Sequence, residues 1–450
     1  MAKVYPFRAL RYDPARVVPQ KVVTQPYDKI TPDLQERYYA ADPHNLIRIE
    51  LGKKQPEDSP ADNVYTRAAK SFREWRREGI FRPDPEPSFY VYEQEFVMPG
   101  SNETLRRRGF IGLGQIEDYG AGVVFRHEQT LARPKADRLE LLRATRAHFG
   151  QLFMLYSDPG GQVENMLSPS GIADIDVRDE YGVRHQVWRN SDPSVVKQVT
   201  SAMSDKKLII ADGHHRYETA LAYRNERRAM EETVAIRAVG ATQGSVADAT
   251  PTIQNAPYER VMMTFVNMDN PGLVILPTHR VVHGLSSFHS DALLAGATAY
   301  FDVEEVAGDL SENRARELLR EAGANATALL VLTGGRAFLF RARPGTGAER
   351  MNSLSERQQE LDVVKLHKLL LEGVLGMSEA DIREQKYIKY LRGTSEAINR
   401  AHSGANAVFL MNPVRIEQVR DIAFAGEVLP QKSTDFYPKL LSGLTIYALD

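Results

Sequence analysis

The run Asp212-Gly213-His214-His215-Arg216 combines side chains that can hold phosphate and move a proton. It follows the apolar stretch Leu208-Ile-Ile-Ala211. It precedes Tyr217, Ala220, Leu221 and Tyr223, whose spacing predicts a helix from Arg216 to about Met230. A strand that feeds a helix through a glycine turn leaves the first helical N–H groups unpaired and pointing outward. With the positive end of the helix dipole, those groups make an anion site. Gly213 lets the backbone take positive φ and lets an oxygen approach closely. Arg216 can grip a phosphate through two parallel hydrogen bonds. His214 and His215 add donors, and His215 can also carry a proton. Asp212 can cap the helix or hold Mg²⁺ beside the phosphates. Two plainer readings compete. Asp-Gly before a helix is common turn and capping chemistry, and paired histidines suggest zinc. Zinc is disfavoured because consecutive side chains at a helix start diverge, and no His-x-x-x-His partner lies nearby.

Glu128 stands between His127 and Gln129, just ahead of Lys135, Asp137 and Arg138. A carboxylate so flanked can act as general base toward a hydroxyl. The competing reading is a solvated turn followed by ordinary helix-start charges. Lys432, Ser433 and Thr434, with Lys439, form a basic, polar cluster near the C-terminus. It lacks the glycines of a P-loop, yet it can deliver Lys432 to a phosphate held elsewhere. Its alternative is a solvated tail. The glycines of Gly109-Phe-Ile-Gly-Leu-Gly114 miss the dinucleotide spacing and fall in an expected strand. His279 and Arg280 follow the apolar run Leu273 to Leu276 and are expected at a strand end. Gln25-Pro-Tyr-Asp28 is weaker, with Tyr27 read as a core residue.

The elements that must position these residues alternate along the chain. Thr31 and Pro32 open a helix to Ala41, and a second helix runs from about Asn63 to Glu78. Phe89 to Met98 and Arg107 to Glu117 read as a hairpin through Pro99-Gly-Ser-Asn102. Helices are expected at Lys135 to Phe149 and Pro193 to Met203, with strands at Lys207 to Ala211, Arg260 to Asn267 and Leu273 to Leu276. Further on, Tyr300 to Val306, Ala328 to Thr333, Ala337 to Ala342 and Ala407 to Met411 read as strands. Helices at Leu310 to Ala322, Val363 to Leu375 and Val414 to Ala425 lie among them. The pattern predicts a mixed α+β fold.

With 450 residues the chain exceeds one ordinary core, so two or three cores or an elaborated domain are expected. The 57 basic and 59 acidic side chains leave a formal charge of −2, which offers no global field for nucleic acid or an anionic membrane. There are no cysteines, which excludes disulfides and thiolate chemistry and fits a reducing compartment. The first residues lack the apolar run of a signal peptide, and no stretch has the length of a membrane span. A cytoplasmic protein is expected, with no membrane partner and nucleic acid disfavoured.

Ala211-Asp-Gly-His-His-Arg-Tyr-Glu-Thr-Ala220 resembles the signature of the family called domain of unknown function 1015. Gln25-Pro-Tyr-Asp28, Arg126-His-Glu-Gln-Thr130, the segment 267–280, and the tail from Leu429-Pro-Gln-Lys-Ser-Thr434 to Gly443 resemble it too. That family is similar to the ParB/sulfiredoxin superfamily and, more closely, to free serine kinases. The resemblance implies a ParB/sulfiredoxin-like nucleotide core at 119–265, an N-terminal extension at 1–118 and a C-terminal α/β region at 266–450. It also implies ATP or ADP with Mg²⁺ as cofactors, a small hydroxyl substrate such as free L-serine, and Glu128 as base. Asp212, Gly213, His214, His215 and Arg216 would then form the phosphate turn, with Lys135, Arg138, Lys432, Ser433 and Thr434 as further phosphate contacts. A second implication is a nucleotide-responsive switch without transfer activity. The oligomeric state is left open.

Overall fold

Leu208–Asp212 forms a strand whose first three residues are buried apolar side chains, and it runs straight into the helix His214–Ala241. The computed structural model describes residues 1–450 except 129–131, 242–254 and 325, with the backbone alone for 132–134 and 234–241. The fold is α+β. Among the described residues the motif strand belongs to a nine-stranded sheet. Its order is Val124–Phe125, Leu208–Asp212, Leu152–Tyr156, Arg260–Asn267, Thr104–Gln115, Phe89–Val97, Arg184–Asn190 and Ile175–Arg178, with Val4–Tyr5 also on Thr104–Gln115. The hairpin Phe89–Val97/Thr104–Gln115 is antiparallel, as the turn residues Pro99-Gly-Ser-Asn102 predict. Thr104–Gln115 also pairs with Arg260–Asn267, so the sheet is built across residue 118, where the sequence suggested a boundary.

Gly109 belongs to this pairing rather than to a nucleotide turn. A Cβ there would stand 2.3 Å from the carbonyl oxygen of Phe265. A second, antiparallel sheet orders Phe301–Val306, Arg336–Ala342, Ala328–Thr333, Ala407–Met411, His279–Val282 and Ile388–Leu391. Its two central strands carry runs of buried apolar residues, Leu329, Leu330 and Val331 in one and Val408, Phe409 and Leu410 in the other.

Several boundaries differ from expectation. The helix Ala132–Thr145 ends before Phe149, because Arg146 turns at φ +52° and Ala147–His148 pairs with Tyr447–Ala448 as a small sheet. The helix expected over Val363 to Leu375 is one α turn followed by a π-helix, Leu366–Val374. The motif helix starts at His214, two residues earlier than the apolar spacing suggested, and continues past Met230.

The C-terminal segment is not solvated. Leu429, Phe436, Leu440, Leu441, Leu444 and Ile446 are all buried. Its strand Asp435–Tyr437 pairs with Val274–Leu276. Arg107, almost wholly buried on the hairpin, clamps this segment. Its Nη1 donates to Tyr437 O at 3.0 Å and its Nη2 to Pro438 O at 2.5 Å, while Nε donates to Gln94 Oε1 at 3.1 Å. Gln94 Nε2 in turn donates to Lys439 O at 2.8 Å, and Gln151 Nε2 to Leu441 O at 3.0 Å. The guanidinium also lies 4.6 Å over the Phe153 ring. No helix among the described residues is long and apolar enough to cross a membrane.

Removing Arg107 strands buried carbonyls and a buried amide, a loss of about 3 kcal/mol. Arg107→Ala should therefore lower the melting temperature by about 5 °C. It should also expose peptide bonds near 437–441 to protease ahead of the rest of the chain. Limited proteolysis with mass mapping checks this, and wild-type cleavage kinetics would refute the clamp.

Candidate functional site

The edge strand Val124–Phe125 runs parallel to the motif strand, with Val124 opposite Leu208 and Phe125 opposite Ile209. Two parallel chains therefore leave the sheet at the same end. Residues just beyond one strand come to lie beside residues just beyond the other, which is where open sheets place ligands. In this way His127 and Glu128 reach the glycine turn despite their distance in sequence. His127 Nδ1 hydrogen-bonds Ile210 O at 2.8 Å, and its ring stands 4.8 Å from the ring of His214. A third chain joins them: Glu128 makes a parallel bridge with Leu429, whose N–H donates to His127 O at 2.8 Å.

The turn itself has the geometry of an anion cradle. Gly213 sits at φ +99°, outside the reach of ordinary side chains, and a Cβ there would lie 2.9 Å from Leu152 Cδ2. The helix dipole begins at His214, where the first N–H groups have no carbonyl one turn earlier within the helix. His214 turns inward and is buried, and its Nε2 accepts from the His127 amide at 3.4 Å. Its side chain thus holds the turn. Arg216 lies against the turn, its Nη1 donating to Gln151 O at 2.6 Å. Asp212 Oδ2 pairs with Lys439 Nζ at 3.0 Å.

Around Asp212 the chain assembles cations from three distant segments. Burial alone would raise the Asp212 carboxyl, but Lys439, Arg216 and Lys29 outweigh it and hold the group well below the usual carboxylate range. Lys439 also binds Asp435 Oδ1 at 3.0 Å, and Arg392 Nε holds Asp435 Oδ2 at 2.6 Å. Lys29 follows Tyr27 and Asp28 in a short 3-10 turn. Burial, together with Lys439 and Arg392, pushes its ammonium down to about 8, against the pull of Asp28 and Asp435. A lysine so depressed among cations marks a place where positive charge has gathered.

Glu128 has the opposite environment. Burial raises its carboxyl, against the pull of Lys432, while Asp212 adds to the rise and His215 opposes it. Its Oε1 accepts the Lys432 amide at 3.1 Å. Lys432 is held at φ +57°, a strained conformation for a side-chain residue, with its carbonyl accepting from Arg280 Nη2 at 3.2 Å. Arg280 is fully buried and lies 5.2 Å over the Tyr390 ring. It begins its strand rather than ending one. His215 is lowered by burial, with Glu128 and Glu218 pulling the other way.

The remaining expected residues divide. Glu128, Asp212, Gly213, His215, Arg216 and Lys432 are brought together. Lys135 is directed to Glu218 Oε2 at 2.7 Å, one turn along the helix from His214, beside Arg126. Arg138 is buried and held by Asp137 Oδ2 at 2.6 Å and Glu50 O at 2.7 Å, with Tyr27 4.3 Å beneath it. It supports the Gln25–Lys29 loop and lines a small cavity of about 50 Å³ with Glu50 and Arg216. Thr434 Oγ1 bonds His127 Nε2 at 2.8 Å and Ser433 Oγ donates to Pro430 O at 2.5 Å, so both hydroxyls are used within the fold. Tyr27 is not core, and its hydroxyl is pushed up to about 12 by burial and Asp28. Gln129 and Thr130 lie outside the described residues. Among the described residues no group of three or more His, Asp or Glu is arranged to hold a metal ion. Sequence reasoning named Asp28 only within the Gln25-Pro-Tyr-Asp28 run, without a role, and missed Lys29, Arg392 and Asp435. That run was the available signal for Lys29.

Burial lowers His127, against its bond to Ile210 O, and lowers His148, bringing each to about 4. Burial with Arg280 and Arg316 lowers His279 to about 3. A folded state that refuses these protons is stable above the ordinary value of 6.5. It loses stability as pH falls toward 4, by up to about 1.4 kcal/mol per pH unit for each histidine. Melting temperature should be flat from pH 8 to 7 and fall steeply from 6 to 4. His127→Gln should soften that slope in a pH series of thermal melts, and an identical slope would show that His127 does not carry it.

No curated protein matches the chain. Among solved structures it is similar to a conserved hypothetical protein from Pyrococcus furiosus, at 13% identity, covering 70% of this chain and 86% of that one, TM-score 0.31. It is also similar to a free serine kinase in complex with AMP, at 12% identity, covering 71% and 88%, TM-score 0.32. A C-terminally truncated SbnI from Staphylococcus aureus matches at 8% identity, covering 74% and 85%, TM-score 0.31. The family model described as a protein of unknown function, DUF1015, matches residues 4–364, and the chain belongs to that family.

Proposed function

We propose that the protein is a nucleotide-dependent phosphotransferase acting on a small hydroxyl substrate, with free L-serine the first acceptor to test. The ParB/sulfiredoxin-like core and a cytoplasmic setting belong to the same proposal. The observation that carries it is the pairing of a helix start opened by Gly213 with the cations Lys29, Arg216, Lys432 and Lys439 around it. Phosphates would rest on the backbone N–H groups beyond Gly213. Arg216, Lys29 and Lys432 would balance their charge.

Phosphoryl transfer asks the protein mainly for positioning and charge stabilisation. The substrate oxygen attacks phosphorus, the bond to the leaving phosphate breaks, and the hydroxyl proton passes to Glu128. A carboxylate raised by burial is a stronger base than a solvated one, which suits it to that task. His215, kept neutral beside Glu128, can accept or relay the proton. Mg²⁺, if it accompanies the nucleotide, would be held mainly by the phosphates, because Asp212 is already neutralised by Lys439 with Arg216 and Lys29 nearby. The metal would supply charge neutralisation at the transferring group. A nucleotide-responsive switch would use the same turn without a transfer product.

Lys29 offers a test of binding. Below about 8 its ammonium is charged and attracts phosphate, and above that value the attraction is lost. A bound anion raises the group, so ADP affinity should be level near pH 7 and fall between pH 8 and 9.5. Lys29→Met should weaken ADP by about tenfold at pH 7 and abolish that decline. Calorimetry across the pH range reads both, and unchanged affinity would place the phosphates elsewhere.

Glu128→Gln keeps the size and most hydrogen bonding of the side chain but cannot accept the hydroxyl proton. Nucleotide binding should persist while phosphate transfer falls by about 10²–10⁴-fold. A screen of nucleotides against L-serine and other small alcohols, followed by phosphorus NMR, measures the transfer. Slow hydrolysis with no phosphorylated product in the wild type would favour the switch.

A further inference from the structure

Thr24 and Ser442 exchange backbone hydrogen bonds, at 3.1 Å and 2.8 Å, on the segment that carries Lys439. Gln25 then donates from Nε2 to Asp179 Oδ2 at 3.0 Å, and Tyr27 carries the Arg138 guanidinium 4.3 Å over its ring. Arg138 shares a cavity wall with Arg216. The short turn Tyr27–Lys29 is thereby fixed against the segments that supply Lys439 and Arg216. Asp28 is the carboxylate this turn presents. Its charge acts on His215 at the helix start and on Lys439 beside Asp212. Its side chain is 36% exposed. Its one ion-pair partner among the described residues is the adjacent Lys29, 3.8 Å away and beyond hydrogen-bond distance. The other carboxylates of the site are engaged. Asp212 is held by Lys439, Asp435 by Lys439 and Arg392, and Glu128 by the Lys432 amide. Glu50 is buried and faces Arg138 at 3.6 Å.

A carboxylate left loose beside a phosphate cradle works against the phosphates. A positive group on the second ligand turns that cost into attraction. We propose that Asp28 selects the acceptor by binding an ammonium group, so that the substrates are small hydroxyl compounds carrying an amine rather than neutral or purely anionic ones. This role for Asp28 rests on the turn being a phosphate site. An ammonium meets a carboxylate in a charge-assisted hydrogen bond and needs no further ligands. Mg²⁺ fits this place less well, because it demands an octahedron of oxygens and would bring two charges toward Lys29. Among the described residues no three acidic or histidine side chains surround a metal position. His215 feels the charges of both Asp28 and Glu128, which gathers the ammonium subsite and the base around one residue. A short acceptor held by its ammonium therefore brings its hydroxyl toward the base.

Two pairs of probes isolate the charge: ethanolamine against ethylene glycol, and L-serine against glycerate, each pair exchanging an ammonium for a hydroxyl. Calorimetry on the full chain saturated with ADP reads their binding and needs no turnover. In the wild type each amine should bind about tenfold more tightly than its partner, the scale of one charged hydrogen bond. In Asp28→Asn that ratio should fall to near unity, while ADP affinity, with or without Mg²⁺, does not fall. Retained ADP binding also shows that the variant is folded. A wild type that keeps the preference but forms no phosphorylated product would support the role of Asp28 and remove transfer. With ADP bound, equal affinity within each pair, no binding of either amine, a ratio unmoved in Asp28→Asn, or weaker ADP binding by that variant would each overturn the role. Failure of ADP itself to bind the wild type would overturn the phosphate turn and this role together.

Discussion

A carboxylate at the end of a strand, partly withdrawn from water, must be neutralised, and in this protein Lys439 does it for Asp212. Much of the architecture around the turn serves that pair. Lys439 is positioned only because Arg107 and Gln94 bind the backbone on either side of it, and Gln151 binds two residues on. The same Gln151 accepts Arg216 through its carbonyl. One set of buried polar contacts thus fixes the C-terminal segment, the lysine and the arginine of the turn at once. These contacts are coupled through shared residues, so moving one disturbs the others.

That arrangement explains why cations outnumber what Asp212 needs. Lys29, Arg216 and Lys439 all act on one carboxylate, and Asp435 is shared between Lys439 and Arg392. Ordinary ion pairing would match charges one to one. Burial, with Lys439 and Arg392 adding to it, depresses Lys29, and an anion bound there would restore the balance. The helix start faces the same point with its own partial positive charge, so side-chain and backbone fields add.

The local parts of this site were legible because they obey local rules. An apolar run, a glycine and a change of period place a strand, a turn and a helix at residues 208–241 with no knowledge of the rest. Thr31 as cap and the hairpin at 89–115 follow from equally short signals. Glu128 was legible only through its resemblance to a family, since nothing near it in sequence shows that it meets Asp212. What brings them together is strand pairing between Val124–Phe125 and Leu208–Asp212, and pairing at such separation leaves no local mark. The tail misled for a related reason. Gln431-Lys-Ser-Thr434 is polar, but each of the last two hydroxyls finds a partner inside the fold, and the leucines that follow are core. Lys135 and Arg138 are paired with Glu218, Glu50 and Asp137, contacts that no local pattern announces.

The two carboxylates of the turn carry the last step. They lie close enough to act on each other, and each would raise its neighbour if both stood in the same surroundings. They do not. Three cations pull Asp212 down, whereas Glu128 is met by the amide and the ammonium of Lys432, and burial dominates. Neighbouring groups driven apart in this way divide into one that stays charged and one that can take up a proton. Arg280 keeps that division in place. It holds the Lys432 carbonyl, so the amide of the same residue stays on Glu128 in spite of a strained backbone.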